Sequence, residues 1–236
     1  MKFSLIILIS NTYDDALYCL KTLAELNKED IELDIVLIDN GTPGPITESR
    51  LKNLELRFKN AGFVNTKSER LIRGDLENIA YLYASLQATG DWVIFLPASG
   101  FYFKSYLSKL LKSINSYYST SDVLLSDYLI THISVNDTHS YNTVHYSPSI
   151  YRNKESEAFN KEIPLSNFIG LCIKRNKINL LASNSDLNFF KKIFELRLAL
   201  EYTNILAGAI FIGDTIDYSK KQNLCDHLYY RPGPTN

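Results

Sequence analysis

Three largely apolar runs constrain the first hundred residues: Phe3–Ile9, interrupted only by Ser4, Leu33–Ile38, interrupted only by Asp34, and the continuous Trp92–Leu96. Short runs rich in Ile, Leu and Val, without polar alternation, are the pattern of strands covered on both faces. Between them the spacing turns helical. Asp14 and Asp15 favour a helix start, and Leu17, Leu20, Leu23 and Leu26 form a stripe, with Cys19 beside it, that runs to about Lys28. A second amphipathic segment, Ile46–Asn60, carries Leu51, Leu54, Leu56 and Phe58. A third, capped by Asp75, turns Leu76, Ile79, Ala80, Tyr83, Ala84 and Leu86 inward and closes at Gly90. Phe63-Val64-Asn65 reads as a short edge strand and Arg70–Gly74 as a turn. Strands alternating with helices in this way specify a parallel, doubly wound sheet.

After Gly100 the pattern changes. Lys104–Tyr118 reads as a helix, and Asp122–Ile133 with Ser140–Ser147 as antiparallel strands joined at Asn136-Asp137. Phe168–Ile173 is a candidate strand leading to a helix near Lys177–Leu181. The capping run Ser183–Asp186 predicts a longer helix over Leu187–Tyr202, followed by a last strand over Ala209–Asp217 and a tail. The expectation is one α/β domain of 236 residues: a nucleotide-binding-like half over 1–100, then a smaller antiparallel and helical half over 101–236.

With 25 basic and 26 acidic residues, the chain is not a general electrostatic binder of nucleic acid. Cys19, Cys172 and Cys225 are odd in number and far apart, which suggests neither a disulfide framework nor a zinc knuckle and fits reduced thiols in the cytoplasm. His132, His139 and His145 lack close ligand spacing. The apolar opening is too short to span a bilayer and has no small-residue cleavage site, so neither a signal peptide nor an anchor is expected there.

In open parallel sheets, ligands bind at the carboxyl ends of the strands. Here those ends are Ser10-Asn11-Thr12, Asp39–Pro45 and Pro97-Ala98-Ser99. Asp39 sits at the mouth of the crevice, either as a ligand contact or as an acid capping its own turn through Thr42. Ser10 and Asn11 can hydrogen-bond a base edge or serve an ordinary turn. Pro97, Ala98 and Ser99 bring no carboxylate with which to hold a divalent cation.

Three segments, in order, resemble the family-2 glycosyltransferases, inverting enzymes of the GT-A fold that use nucleotide-diphosphate sugars. Phe3–Asn11 with Cys19-Leu20-Lys21-Thr22-Leu23 is similar to the family's first strand and helix. Asp34–Thr42 resembles its "EIIVVDDGS" segment, and Ala88–Leu96 its "A-x-G-D-Y-I-x-F-L". The resemblance implies a GT-A fold and a donor site in which Asp39 contacts the uracil or ribose. The departures are chemical: the family's metal-holding Asp-X-Asp falls on Pro97, Ala98 and Ser99, and its Arg-Asn pair on Tyr81 and Leu82. Its general base would fall near Phe190-Lys191 when Leu196–Leu200 is aligned, and a slip of about one helical turn brings Asp186 into that role.

The residues expected to bind nucleotide are therefore Ser10, Asn11, Asp39, Arg73, Ala98 and Ser99, with Arg73 replacing the cation on the diphosphate. Lys104, Lys220 and Lys221 are weaker candidates for that charge. Asp186 and Asp127 are the candidate catalytic carboxylates; helix capping alone also explains Asp186. Tyr141, Tyr146 and Tyr151 either stack on a sugar or pack. No metal or other cofactor is expected. The partners implied are a nucleotide-diphosphate sugar and a saccharide or lipid-linked acceptor, in surface-polysaccharide assembly at the inner face of the plasma membrane. Self-association, or association with other glycan-assembly enzymes, is compatible with this. The alternative is a non-catalytic binding module on the same fold. Asp39→Asn is expected to weaken nucleotide binding with little loss of stability.

Overall fold

A computed structural model describes residues 1–9, 13–26, 31–42, 47–71, 77–133, 141–146, 170–182 and 198–212. Its elements run β1 (Lys2–Ile9), α1 (Tyr13–Ala24), β2 (Glu32–Asn40), α2 (Thr47–Asn60), β3 (Thr66–Leu71), α3 (Glu77–Leu86), β4 (Trp92–Pro97) and β5 (Gly100–Tyr102). There follow α4 (Tyr106–Ser116), β6 (Val123–Ile133), β7 (Tyr141–Tyr146), β8 (Leu171–Lys174), α5 (Arg175–Ala182) and β9 (Leu200–Ile212).

All these strands join one sheet in the order β3-β2-β1-β4-β8-β6-β9-β5, with β7 pairing the distal part of β6. The block β3-β2-β1-β4 is wholly parallel. Beyond it, β8 runs antiparallel to both β4 and β6, while β6 and β9 are parallel with register irregularities around Asp127. The α/β class and the parallel first half follow the sequence expectation.

Burial explains why the central runs read so clearly. Phe3, Leu5, Ile7 and Ile9 of β1 face α1, α2 and α4, packing with Cys19, Leu23, Leu51, Phe58 and Leu110. Ile6 and Leu8 face the other way, against Ala80, Tyr81 and Ala84 of α3 and Ile178 of α5. Both faces are dry, so no alternation survives in the sequence. Truncating such a residue, as in Ile7→Ala, removes about 2–5 kcal/mol of stability. Cys19 and Cys172 are buried free thiols, and burial pushes both up from the ordinary thiol range.

At the amino-terminal edge of the sheet, a buried polar clasp ties three elements together. The Ser4 hydroxyl donates to Asp34 Oδ1 (2.6 Å) and accepts from the Gly90 N–H (2.7 Å), while Thr89 Oγ1 donates to Asp34 Oδ2 (2.9 Å). Gly90 is required by space: a Cβ there would lie 2.6 Å from the Ser4 nitrogen and 2.7 Å from the Phe3 carbonyl carbon.

Several expectations are corrected. Phe63-Val64-Asn65 is not a strand: Gly62 (φ +93°) ends α2, Phe63 packs on Phe58, and the edge strand begins only at Thr66. Arg70 and Leu71 consequently belong to β3 rather than to a turn. Tyr83 and Leu86 point outward. Leu200–Tyr202 open β9 rather than end a helix, because they pair with Val123–Leu125 of β6. That last strand thus starts well before Ala209; residues 187–197 and 213–217 lie outside the described residues. The short strand β5, paired with β9, was not expected from the sequence.

Candidate functional site

The carboxyl ends of β2, β1 and β4 lie side by side. Ile9 pairs with Asp39 on one side, and Leu8 with Pro97 on the other. Two inter-strand spacings therefore separate the β2 and β4 ends by about 10 Å. A nucleoside diphosphate can bridge that interval.

On the β2 side, Asp39 is fully buried. Its Oδ1 accepts the Thr42 N–H (2.9 Å), closing a tight turn in which Gly41 adopts φ +75°. Its Oδ2 accepts the Tyr13 hydroxyl (2.9 Å) and lies 3.2 Å from Arg70 Nε. Arg70 stands opposite Asp39 in the β2–β3 register, and its Nη2 also donates to the Thr42 carbonyl (3.3 Å). The Arg70 side chain remains one-third exposed, while its Nε is buried against Asp39. Burial and the bond to Asp39 hold the Tyr13 phenol above its ordinary range. Asp39, Tyr13 and Arg70 thus come from three elements, and Asp39 and Arg70 both bond Thr42, just after β2.

On the β4 side, the Ala98 N–H donates to the Leu8 carbonyl (2.8 Å), extending the ladder past Pro97. Ala98 is buried and Ser99 half-buried. Neither carries a group that could ligate a cation as a carboxylate does, so the metal the family resemblance implies does not fit these residues. Among the described residues no group of three or more His, Cys, Asp or Glu could hold a metal ion. Tyr81, at one of the family's polar anchor positions, is instead a core residue set edge-on to Phe95 at 5.3 Å.

Of the expected nucleotide-binding residues, Asp39, Ala98 and Ser99 are gathered at this edge. Ser10, Asn11 and Arg73 lie outside the described residues, as do Asp186, Lys220, Lys221, His139 and Tyr151. Asp127 is not at a strand end: it sits inside β6, where the pairing with β9 is irregular. Lys104 is exposed in the turn before α4. The sequence reading missed Tyr13 and Arg70. Arg70 gave no signal because its segment has no apolar alternation. Tyr13 precedes the Asp14-Asp15 helix start, and nothing local sets it apart.

No helix among the described residues is long and apolar enough to cross a membrane. No family model and no curated protein sequence matches the chain. Solved structures do. TarS from S. aureus, residues 1–349 in complex with UDP-GlcNAc, is 18% identical with a TM-score of 0.61, over 93% of this chain and 61% of that one. The same fragment in complex with UDP is 16% identical (TM-score 0.60), over 97% and 71%. The mannosyltransferase PcManGT from Pyrobaculum calidifontis, in complex with GDP-Man and Mn2+, is 12% identical (TM-score 0.57), over 96% and 61%. The chain thus spans about three-fifths of the TarS fragment that holds UDP-GlcNAc. At such identities the likeness is one of architecture, and it gives this chain the GT-A glycosyltransferase fold.

Proposed function

We propose that the chain binds a nucleotide-diphosphate sugar across the β2–β4 edge and transfers the sugar to a saccharide or lipid-linked acceptor without a divalent cation, in surface-polysaccharide assembly. The observation that carries this reading is the asymmetry of the edge: a braced, partly exposed Arg70 on one side, and a carboxylate-free mouth at Pro97-Ala98-Ser99 on the other. Structural neighbours solved with UDP-GlcNAc, UDP and GDP-Man support the donor class.

In this reading the exposed part of Arg70 and the Gly41-Thr42 turn held by Asp39 receive the nucleoside, with Ser10 and Asn11 as further contacts. Arg73 receives the diphosphate, which lies over Ala98 and Ser99. A carboxylate, for which Asp186 is the candidate, takes the proton of the acceptor hydroxyl as its oxygen bonds to the anomeric carbon. The bond from that carbon to the diphosphate breaks, and the electron pair leaves with the nucleoside diphosphate. Without a metal, the charge developing there must be met by fixed cations and dipoles.

The second reading, a non-catalytic binding module, is favoured by the joint loss of chemistry at Tyr81 and at Pro97–Ser99 while the scaffold is retained. Calorimetry with UDP, UDP-GlcNAc and GDP-mannose, in EDTA and in Mn2+, tests both, together with donor hydrolysis. Binding in EDTA with slow hydrolysis supports the transferase; binding without turnover supports the module. No nucleotide affinity under either condition overturns both.

A further inference from the structure

Strand β3 closes one side of the sheet: among the described residues it pairs only with β2. The Ile35 N–H donates to the Asn65 carbonyl (3.0 Å), and Ile35 stands opposite Thr66. In a parallel ladder that parity turns the backbone of Lys67 and Glu69 toward β2, and the N–H and C=O groups of Thr66, Ser68 and Arg70 toward the outer edge. Beside Lys67, Ser68 and Glu69 lies a cleft of about 300 Å³, walled by Lys52 and Glu55 of α2 and, on the opposite face of the sheet, by Gln87 just past α3. An edge of this kind is a template for a further strand.

Four of the seven large apolar side chains exposed among the described residues flank that edge. Leu56 stands one turn beyond Lys52 on α2, and Val64 precedes β3 by two residues. Tyr83, whose hydroxyl donates to Glu69, shares a face of α3 with Leu86.

The charges of β3 single out its occupant. Two copies of the strand can meet antiparallel about a two-fold axis, each offering its Thr66, Ser68 and Arg70 backbone to the other. An axis at Lys67 or at Glu69 sets like charges face to face, which is destabilising. An axis at Ser68 sets Lys67 opposite the second copy's Glu69 twice over, with Arg70 opposite Thr66. Glu69 can accept from Tyr83 and still meet a lysine, because a carboxylate has acceptor sites to spare. Arg70 is engaged by Asp39 and the Thr42 carbonyl within its own copy. Lys52 and Lys59 lie against the one Glu55, which leaves a single positive charge on that flank, exposed and screened by salt. A lysine on an edge strand ordinarily guards it against pairing. Here the glutamate two residues on answers it, and symmetry makes that answer available only from an identical strand.

We infer that two copies of this chain associate through β3, antiparallel about a two-fold axis at Ser68, with Leu56, Val64, Tyr83 and Leu86 leaving water at the margins. This surface does not depend on the proposed donor reading.

Sedimentation equilibrium of the full chain should show a dimer at or below about 100 μM. Lys67→Glu and Glu69→Lys should each raise its dissociation constant tenfold or more, because each sets like charges opposite one another. An equimolar mixture of the two variants restores both ion pairs and should recover most of the loss. Leu56→Gln/Leu86→Gln alters no charge and tests the same surface should a charge reversal disturb the fold, as circular dichroism would show; it too should weaken the dimer tenfold or more. Tyr117→Gln, at an exposed position past the end of α4, should leave it within about twofold. The inference is overturned if the chain stays monomeric, if the dimer is indifferent to the charge reversals, if folded variants mixed together associate no better than apart, or if Tyr117→Gln weakens it as much as the leucine pair.

Discussion

Replacing Asp39 with Asn separates a residue that holds the fold from one that only meets a ligand. The structure changes the sequence expectation that such a change would leave stability almost untouched. Asp39 has no exposed surface, and its two oxygens serve Thr42, Tyr13 and Arg70. Asn keeps one acceptor, enough for the Thr42 N–H, but turns an NH2 toward two donors. Losing a hydrogen bond to a charged acceptor costs about 1.5–3 kcal/mol. The Arg70 contribution is smaller, about 1 kcal/mol, because its side chain is 34% exposed and solvent screens it. Asp39→Asn should therefore cost about 2–4 kcal/mol, lowering Tm by about 5–15 °C for a chain of this size. Urea and thermal unfolding followed by circular dichroism measure it, with Tyr13→Phe and the double variant completing a cycle. A coupling above about 0.5 kcal/mol is expected between Asp39 and Tyr13. A loss below about 0.5 kcal/mol in Asp39→Asn, with the two changes additive, would refute the reasoning.

Gly90→Ala should cost at least about 1–3 kcal/mol, since its Cβ would press on β1 backbone atoms, and nucleotide affinity per folded molecule should stay unchanged. Unfolding midpoints with a binding titration check both halves. Burial holds the phenols of Tyr102 and Tyr106 above their ordinary range, so the folded state keeps protons that the unfolded chain releases above about pH 10. Stability from these groups should be fully present below that pH. It should then fall as pH rises, approaching a slope of about 1.4 kcal/mol per pH unit for each phenol. Urea midpoints across the alkaline range, read beside tyrosinate absorbance, test the sign.

What the sequence disclosed follows burial. Phe3–Ile9, Leu33–Ile38 and Trp92–Leu96 read as strands because both faces of the sheet are covered there, so their side chains are apolar except for Ser4 and Asp34, which satisfy each other. Thr66–Leu71 did not, because an edge strand meets water and its Lys, Ser, Glu and Arg suit a loop equally well. The opening of β9 was missed for another reason: Leu196, Leu198 and Leu200 alternate with the period of a strand, but the capping run Ser183–Asp186 ahead of them favoured a helix, and pairing with β6 decides for the strand from Leu200 on. The position of Asp39 was legible from its place after a buried run. Its partners were not, since Tyr13 reaches it across 26 positions from the start of α1 and Arg70 across 31 through strand register, and no local pattern encodes either.

The absence of acids at the β4 end has an electrostatic logic of its own. A carboxylate about 4 Å from a diphosphate opposes it by roughly 4 kcal/mol per unit charge pair at an effective dielectric of 20. Acids at that position are tolerable only with their cation, so a site that dispenses with the cation must also dispense with the acids. Pro97, Ala98 and Ser99 meet that requirement. On the proposed donor reading, nucleotide affinity should agree within about twofold between EDTA and Mn2+, a difference below 0.5 kcal/mol. Ser99→Asp restores one charge at a half-buried position, where the side chain has room to turn outward. It should weaken UDP binding in EDTA by about tenfold or more, and Mn2+ should recover part of the loss. Equal UDP affinity for Ser99→Asp and the unaltered chain in EDTA would mean that the diphosphate does not lie beside β4, and the metal-free donor geometry would fall with it.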